Sequence, residues 1–281
     1  MLIKNGREEG IAYSLSRWTD VPAAKWPWFR ECLRQGELVA FDQRDAMPYR
    51  WNLSPGGVHG LVFWTKNPRN LIDDRAALAS FPLHVHVTLT GWEEVEKGAP
   101  SIKEGCQILR EAADTFGPDR VTWRLSPIPV LPYEVLMGRF TQMASAAKEA
   151  GLKKVIVAFI QTNDLVHEPR SGEEKLLVLK GFADLASSHD LDIELCNDDV
   201  AVLDLWTLDT AGMPHNLRRG VCVPPGGFGP PSPAERCGCA LMADPFTINE
   251  SCVMGCEYCY AADQSLAVRK RNTTKALRVI R

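Results

Sequence analysis

RVTWRLSPIPVLPYEVLMGRFTQMASAAKEAGLKKVIVAFI (120–160) is the stretch whose reading decides the fold. RVTWRL (120–125) and KVIVAFI (154–160) are short runs dense in β-branched and aromatic residues, the composition of strands. Between them EVLMGRFTQMASAAKEA (134–150) has helical spacing, and Gly151 closes it with a residue suited to the left-handed position past a helix end. Strand, helix and strand in succession predict a crossover between parallel neighbours.

The same alternation extends both ways. IAYSLS (11–16), GLVFWT (60–65), HVHVTLT (84–90) and DIELC (192–196) read as further strands, and EGCQILREAADTF (104–116), closed by Gly117 and Pro118, reads as another helix. Six or seven such units predict an α/β fold built as a (β/α) barrel, complete or partial, with six to eight parallel strands. A barrel of this kind takes about 250 residues, and the chain has 281. The expected organisation is a barrel body over 1–220, a segment over 221–262 that completes it, and a tail over 263–281. Within the body, GELVAFDQRDAMPYRWNLS (36–54) reads as two short strands around a polar turn, an inserted hairpin that serves as cover. VCVPPGGFGPPSPAERCGC (221–239) is too rich in Pro and Gly for helix or strand and predicts a loop.

Composition narrows the function. Hydrophobic residues at 45% and charged residues at 24% are those of an ordinary globular chain. No apolar run approaches the roughly 18 residues of a membrane helix, so no membrane partner is expected. A net charge of −3 gives no field that would hold a polyanion. The tail is the exception, with Arg269, Lys270, Arg271, Lys275, Arg278 and Arg281 against Asp263 alone. It reads as a solvated helix face or frayed end, or else as a phosphate-binding patch. The first residues lack a signal-like apolar core, which predicts a cytoplasmic chain with reduced thiols.

Nine cysteines in such a chain therefore point to metal rather than disulfides. Cys32 and Cys106 stand alone in helical segments and read as small buried hydrophobes. The other seven lie between residues 196 and 259. In FTINESCVMGCEYCYA (246–261), Cys252, Cys256 and Cys259 have the spacing C-x3-C-x2-C, Gly255 permits a tight loop, and Tyr258 precedes the last thiol. Three thiolates are one short of a closed site, whereas an iron-sulfur cubane held by three leaves one iron open. Cys196, Cys222, Cys237 and Cys239 remain, and four thiols suffice for a second iron-sulfur cluster or a zinc site. The alternatives are that these four only pack and brace the loop, or that Cys237 and Cys239 join Cys256 and Cys259 in one zinc knuckle.

Polar residues near the ends of the expected strands, Arg17 and Asp20, Lys66 and Asn67, Thr90, Arg124, and Gln161 with Asn163, would share one rim. Active sites of parallel α/β folds lie at that edge. Arg124, Lys66 and Arg17 are the expected partners of a cofactor carboxylate or an anionic substrate group. Each could equally be an ordinary cap or turn residue. His84 and His86 alternate on one face of a strand, and His167 and His215 lie in polar loops without partners at a recognisable spacing.

The motif C-x3-C-x2-C-Y-A, ending in Tyr260-Ala261, resembles the cluster loop of the radical S-adenosylmethionine enzymes, in particular the spore photoproduct lyase branch. FWTKNPRNL (63–71) is similar to that branch's strand-end element around Lys66. HVTLTGWEEVEKGAPS (86–101) is similar to another, with Glu96, Pro100 and Ser101 matching. The cysteine loop comes first in that branch and last here, so the chain resembles a circular permutation of it. That order in turn resembles a bacterial family of unassigned function, with Ser16-Arg17-Trp18-Thr19-Asp20-Val21-Pro22 near the start and Cys237-Gly238-Cys239 before the triad. The likeness runs from about residue 12 to residue 262.

The resemblance implies a 4Fe-4S cluster on Cys252, Cys256 and Cys259 whose open iron binds S-adenosylmethionine, and reductive cleavage to a 5′-deoxyadenosyl radical. It implies cofactor contacts from Tyr258, Gly255, Thr90 and Glu96, with Tyr258 against the adenine. It also implies an electron donor such as flavodoxin or ferredoxin and a substrate that is a small molecule or a nucleic acid. The other expectations are a non-catalytic module folded around metal that binds nucleic acid or protein, and a lyase that repairs lesions or modifies bases.

Overall fold

A computed structural model of the chain describes residues 4–5, 11–16, 19–41, 48–160, 170–196, 212–232, 238–245 and 252–259. In chain order the strands and helices are β1 (Lys4–Asn5), β2 (Ala12–Leu15), α1 (Val21–Ala24), α2 (Trp26–Gln35), β3 (Glu37–Phe41), β4 (Pro48–Asn52), β5 (Gly60–Thr65) and α3 (Arg69–Asp73). There follow β6 (Leu83–Thr88), α4 (Ile102–Phe116), β7 (Val121–Ile128), α5 (Tyr133–Glu149), β8 (Lys154–Phe159), α6 (Gly172–Ser187), β9 (Asp192–Leu195), β10 (Leu217–Arg219) and β11 (Met242–Ala243).

The main sheet has eight parallel strands in the order β10-β9-β8-β7-β6-β5-β2-β11. It is open, with β10 and β11 as its edges. β11 pairs with β2 in the register Met242 to Ala12, so the end of the chain extends the sheet beside its first strand.

Side chains alternate across this sheet with period two. Tyr13, Leu15, Leu61, Phe63, Val85, Val87, Trp123, Leu125, Val155 and Val157 face the helices and form one large core. Phe140 of α5 stacks on Phe182 of α6 at 4.1 Å, and Trp123 packs on Phe140 at 5.4 Å. Ser101 and Ser171 start α4 and α6 with reciprocal capping boxes to Glu104 and Glu174. These satisfy amide groups that the first helical turn leaves without partners.

The opposite face is polar as well as apolar. Its register rows set Trp64 beside His86, His86 beside Thr122, and Arg124 beside Ile156. A smaller apolar cluster there joins Ala12, Val62 and Ile156 to Cys222, Val223, Cys239 and Ala240 from the Pro/Gly segment.

The inserted hairpin is present as β3 and β4, antiparallel in the register Glu37 to Asn52, with β1 added to β4. Trp51 meets Tyr13 edge-on at 5.6 Å, so the hairpin covers the outer face of β2. Cys32 and Cys106 are buried, as expected of small hydrophobes. Against expectation, Arg124 does not follow its strand, because β7 continues to Ile128 and leaves Arg124 in mid-strand, on the sheet face that carries His86 and Trp64. The apolar pattern ends at Leu125, and Ser126 and Pro127 conceal the continuation of the strand.

Candidate functional site

The cysteine loop 252–259 lies beyond the carboxyl end of β6, against the segment that links β6 to α4. An isolated antiparallel bridge joins Glu96 to Cys256, Glu257 N donates to Val95 O at 3.0 Å, and Gly98 N donates to Met254 O at 2.9 Å. Gly98 makes this approach feasible, since a β-carbon there would stand 1.8 Å from Val253 O. Gly255 turns the loop with φ of +58°. Met254 is buried, while Cys252, Cys256 and Cys259 are half-buried. Tyr258 stacks on Trp92 at 5.4 Å with 16° between the planes.

Glu96 is the polar centre of this contact. It is 5% exposed, and Oε1 accepts from Thr90 Oγ1 at 2.6 Å and from the Tyr258 hydroxyl, with Lys66 Nζ at 2.8 Å. Lys66 Nζ also lies 5.8 Å from the centre of the Tyr258 ring. Lys66, Thr90, Trp92 and Glu96 share one small recess at the ends of β5 and β6. Burial pushes the Tyr258 hydroxyl well above its ordinary pKa, and the Glu96 carboxylate adds to the shift. Burial likewise raises Cys256 to about 12, against the opposing pull of Lys66.

Asp20 braces the same rim. Its carboxylate caps α1 at Ala23 N, accepts from Thr65 Oγ1 at 2.7 Å and holds Lys66 N at 2.8 Å. Burial raises its pKa despite those donors. Asn67 accepts from Arg69 N at 3.3 Å and acts as a turn residue.

Arg124 lies elsewhere, on the sheet face opposite the helices. Its Nη1 is 3.6 Å from Cys222 Sγ and its Nη2 is 3.6 Å from Cys196 Sγ, while its guanidinium sits 5.1 Å from the Trp64 ring centre. The two sulfurs are 3.8 Å apart, and Cys222 N donates to Cys239 Sγ at 3.1 Å. Burial opposes the charge on Arg124, while its contacts with Cys196 and Cys222 raise its pKa. Cys196 is pushed up by its contact with Cys222 and then by burial. His86 stacks on Trp64 at 4.0 Å, and His84 Nε2 bonds Thr122 Oγ1 at 3.0 Å. Burial keeps both rings neutral, lowering His84 to about 4 and His86 well below its ordinary value.

The structure thus brings Lys66, Thr90, Glu96, Gly255 and Tyr258 together around the triad, and Cys196 and Cys222 to Arg124, with Cys239 beside Cys222. Arg17, Cys237, Gln161, Asn163, His167 and the basic tail lie outside the described residues. Among the described residues, no group of three or more His, Cys, Asp or Glu side chains is placed to hold a metal ion, and no helix is long and apolar enough to cross a membrane. Trp92 and Gly98 escaped the sequence reading. Their signal was their place inside the element 86–101, where an aromatic and a glycine flank Glu96.

The chain belongs to a family described as a domain of unknown function, DUF1848, whose model matches residues 12–261. No curated protein matches the chain at a significant level.

Proposed function

We propose that the protein is a radical S-adenosylmethionine enzyme with its cluster on Cys252, Cys256 and Cys259. One observation carries the reading: a loop with three thiols is docked, through the Glu96 to Cys256 bridge, on the carboxyl edge of a parallel sheet. That edge is where parallel α/β folds carry out their chemistry.

The donor set fits the group. Three thiols on one short loop, with no fourth ligand beside them in the motif, suit a cubane with an open iron and not a closed zinc site. In a cubane each thiolate takes a different iron, so its ligands stand farther apart than those of a single ion. When bound, such a cluster with S-adenosylmethionine supplies the electron that cleaves the sulfonium and yields a 5′-deoxyadenosyl radical.

The chain's own residues bind and orient. Glu96 fixes the Tyr258 hydroxyl and the Lys66 ammonium together, which sets the loop against the sheet edge. Trp92 and Tyr258 form an aromatic wall, and Thr90, Glu96 and Lys66 offer polar contacts to an amino acid-like group. Met254 and Val95 exclude water from the docked side of the loop. A one-electron donor such as flavodoxin or ferredoxin is required, and the substrate would lie over the strand ends.

The partial-barrel and permutation readings belong to the same proposal. Beyond β10 and β11 the backbone bridges the open edge with one hydrogen bond, Ala240 N to Val223 O at 2.9 Å. Because β11 lies beside β2, the loop after it stands where a leading cluster loop would stand if the chain began there.

The test is iron and sulfide content after anaerobic reconstitution, with 5′-deoxyadenosine assayed after dithionite and S-adenosylmethionine are added. About four irons at the triad and release of 5′-deoxyadenosine are expected, both lost in C252S/C256S/C259S. Zinc uptake in place of iron, without cofactor cleavage, would overturn the proposal in favour of a non-catalytic metal-stabilised module.

A further inference from the structure

We propose that Cys196, Cys222 and Cys239, with His86 as fourth ligand, form a second site that binds one zinc-class divalent ion beneath Arg124. The inference is independent of the radical-enzyme reading and concerns a different part of the sheet.

Sulfur spacing is the first argument. Two thiolates on one tetrahedral zinc, each about 2.3 Å from the metal, stand about 3.8 Å from each other. Cys196 Sγ and Cys222 Sγ are 3.8 Å apart, well short of the separation of ligands on different irons and well beyond a disulfide bond of about 2.05 Å.

Donors form the second argument. Each of the three sulfurs receives an N–H group: Cys196 from Arg124 Nη2, Cys222 from Arg124 Nη1, and Cys239 from the Cys222 backbone. A neutral thiol is a weak acceptor, whereas a metal-bound thiolate draws such outer donors. Three thiolates, one guanidinium and one divalent ion sum to zero charge. That balance lets a charged cluster sit among Val62, Ile156 and Val223.

His86 supplies an independent sign of a missing partner. It is wholly buried, no well-formed hydrogen bond reaches either ring nitrogen, and its ring lies beside the Cys222 backbone. A buried imidazole left in that state costs free energy that a metal ion would recover. Three cysteines and one histidine make a recognised structural zinc set. The ligands do not yet surround one point, so loading requires Cys239 and the His86 ring to turn toward the pair.

The experiment uses the full chain carrying C252S/C256S/C259S, so that the loop site is silent. The chelator-stripped, reduced protein is titrated anaerobically with Co2+ and then with Zn2+. Uptake of one Co2+ per chain with a thiolate charge-transfer band is expected, displaced by Zn2+, and lost in C196S/C222S. C239S alone, a change of one atom, and His86→Gln should each keep the fold by circular dichroism and weaken cobalt binding at least tenfold. No cobalt band, a band unchanged in C196S/C222S, or iron with sulfide at these residues would each overturn the assignment.

Discussion

Glu96→Gln is the perturbation that most directly probes the docked loop. Glu96 and Lys66 are 5% and 10% exposed and 2.8 Å apart. The amide still accepts from Thr90 and Tyr258, so the main loss is the countercharge of Lys66. Leaving one partner of a buried ion pair uncompensated costs about 3–5 kcal/mol. Lys66→Met leaves the carboxylate with two hydroxyl donors, and should cost less, about 1–3 kcal/mol. The double variant has no stranded charge, so it should be more stable than the sum of the singles predicts, by about 2 kcal/mol or more. Urea unfolding of the metal-free chain at pH 7, under reducing conditions, measures all four corners of the cycle. A cost below about 1 kcal/mol for Glu96→Gln, or strict additivity, would refute the argument that this pair anchors the loop.

Gly98→Ala drives a β-carbon toward Val253 O and should cost about 1–3 kcal/mol while lowering iron uptake. Gly138→Ala, where nothing lies within 4 Å of the added atom in α5, should leave iron uptake intact and stabilise by about 0.5–1 kcal/mol; denaturant midpoints and iron content of the two, compared side by side, check both. His84 falls from 6.5 unfolded to about 4 folded, so the unfolded chain binds the extra proton and stability drops as pH falls from 6.5 toward 4. Between pH 7 and pH 5 this one ring should cost about 2 kcal/mol. His84→Gln should flatten the profile by that amount, and an unchanged slope in chelator-stripped protein would remove His84 from the account.

Much of the fold could be read from the sequence because its strands are buried and short. All six runs quoted as strands begin within one residue of observed strands. Periodicity could not give closure, which depends on whether the two edges meet. Nor could it give the length of β7, where Ser126 and Pro127 interrupt the apolar signal. The cysteine loop could be singled out because thiol spacing within one loop is a local property. The Arg124 cluster could not, because it gathers a mid-strand side chain, the end of β9 and both sides of the Pro/Gly segment, residues up to 115 positions apart in the chain. Counting leftover thiols pointed to a second site without showing that a guanidinium stands at it.

On the two proposals the thiol sets would make opposite demands, at different places in the fold. A multi-iron cluster needs ligands held apart and one coordination position open, which suits a turn with Gly255 at its bend on the sheet edge. A single zinc-class ion needs ligands drawn together and closed, which at the Arg124 cluster would require Cys239 and His86 to turn toward the Cys196 and Cys222 pair. Selection between metals in such a chain would come from geometry, since thiolates alone accept iron and zinc alike. Arg124 sharpens the distinction. A fixed cation beside Cys196 and Cys222 offsets one of three thiolate charges, and a divalent ion offsets the other two; no comparable arginine touches the loop among the described residues, where Lys66 is already paired with Glu96. Replacing Arg124 with a neutral residue should therefore weaken cobalt binding at the second site while leaving iron uptake by the loop unchanged, because only that site's charge balance depends on it.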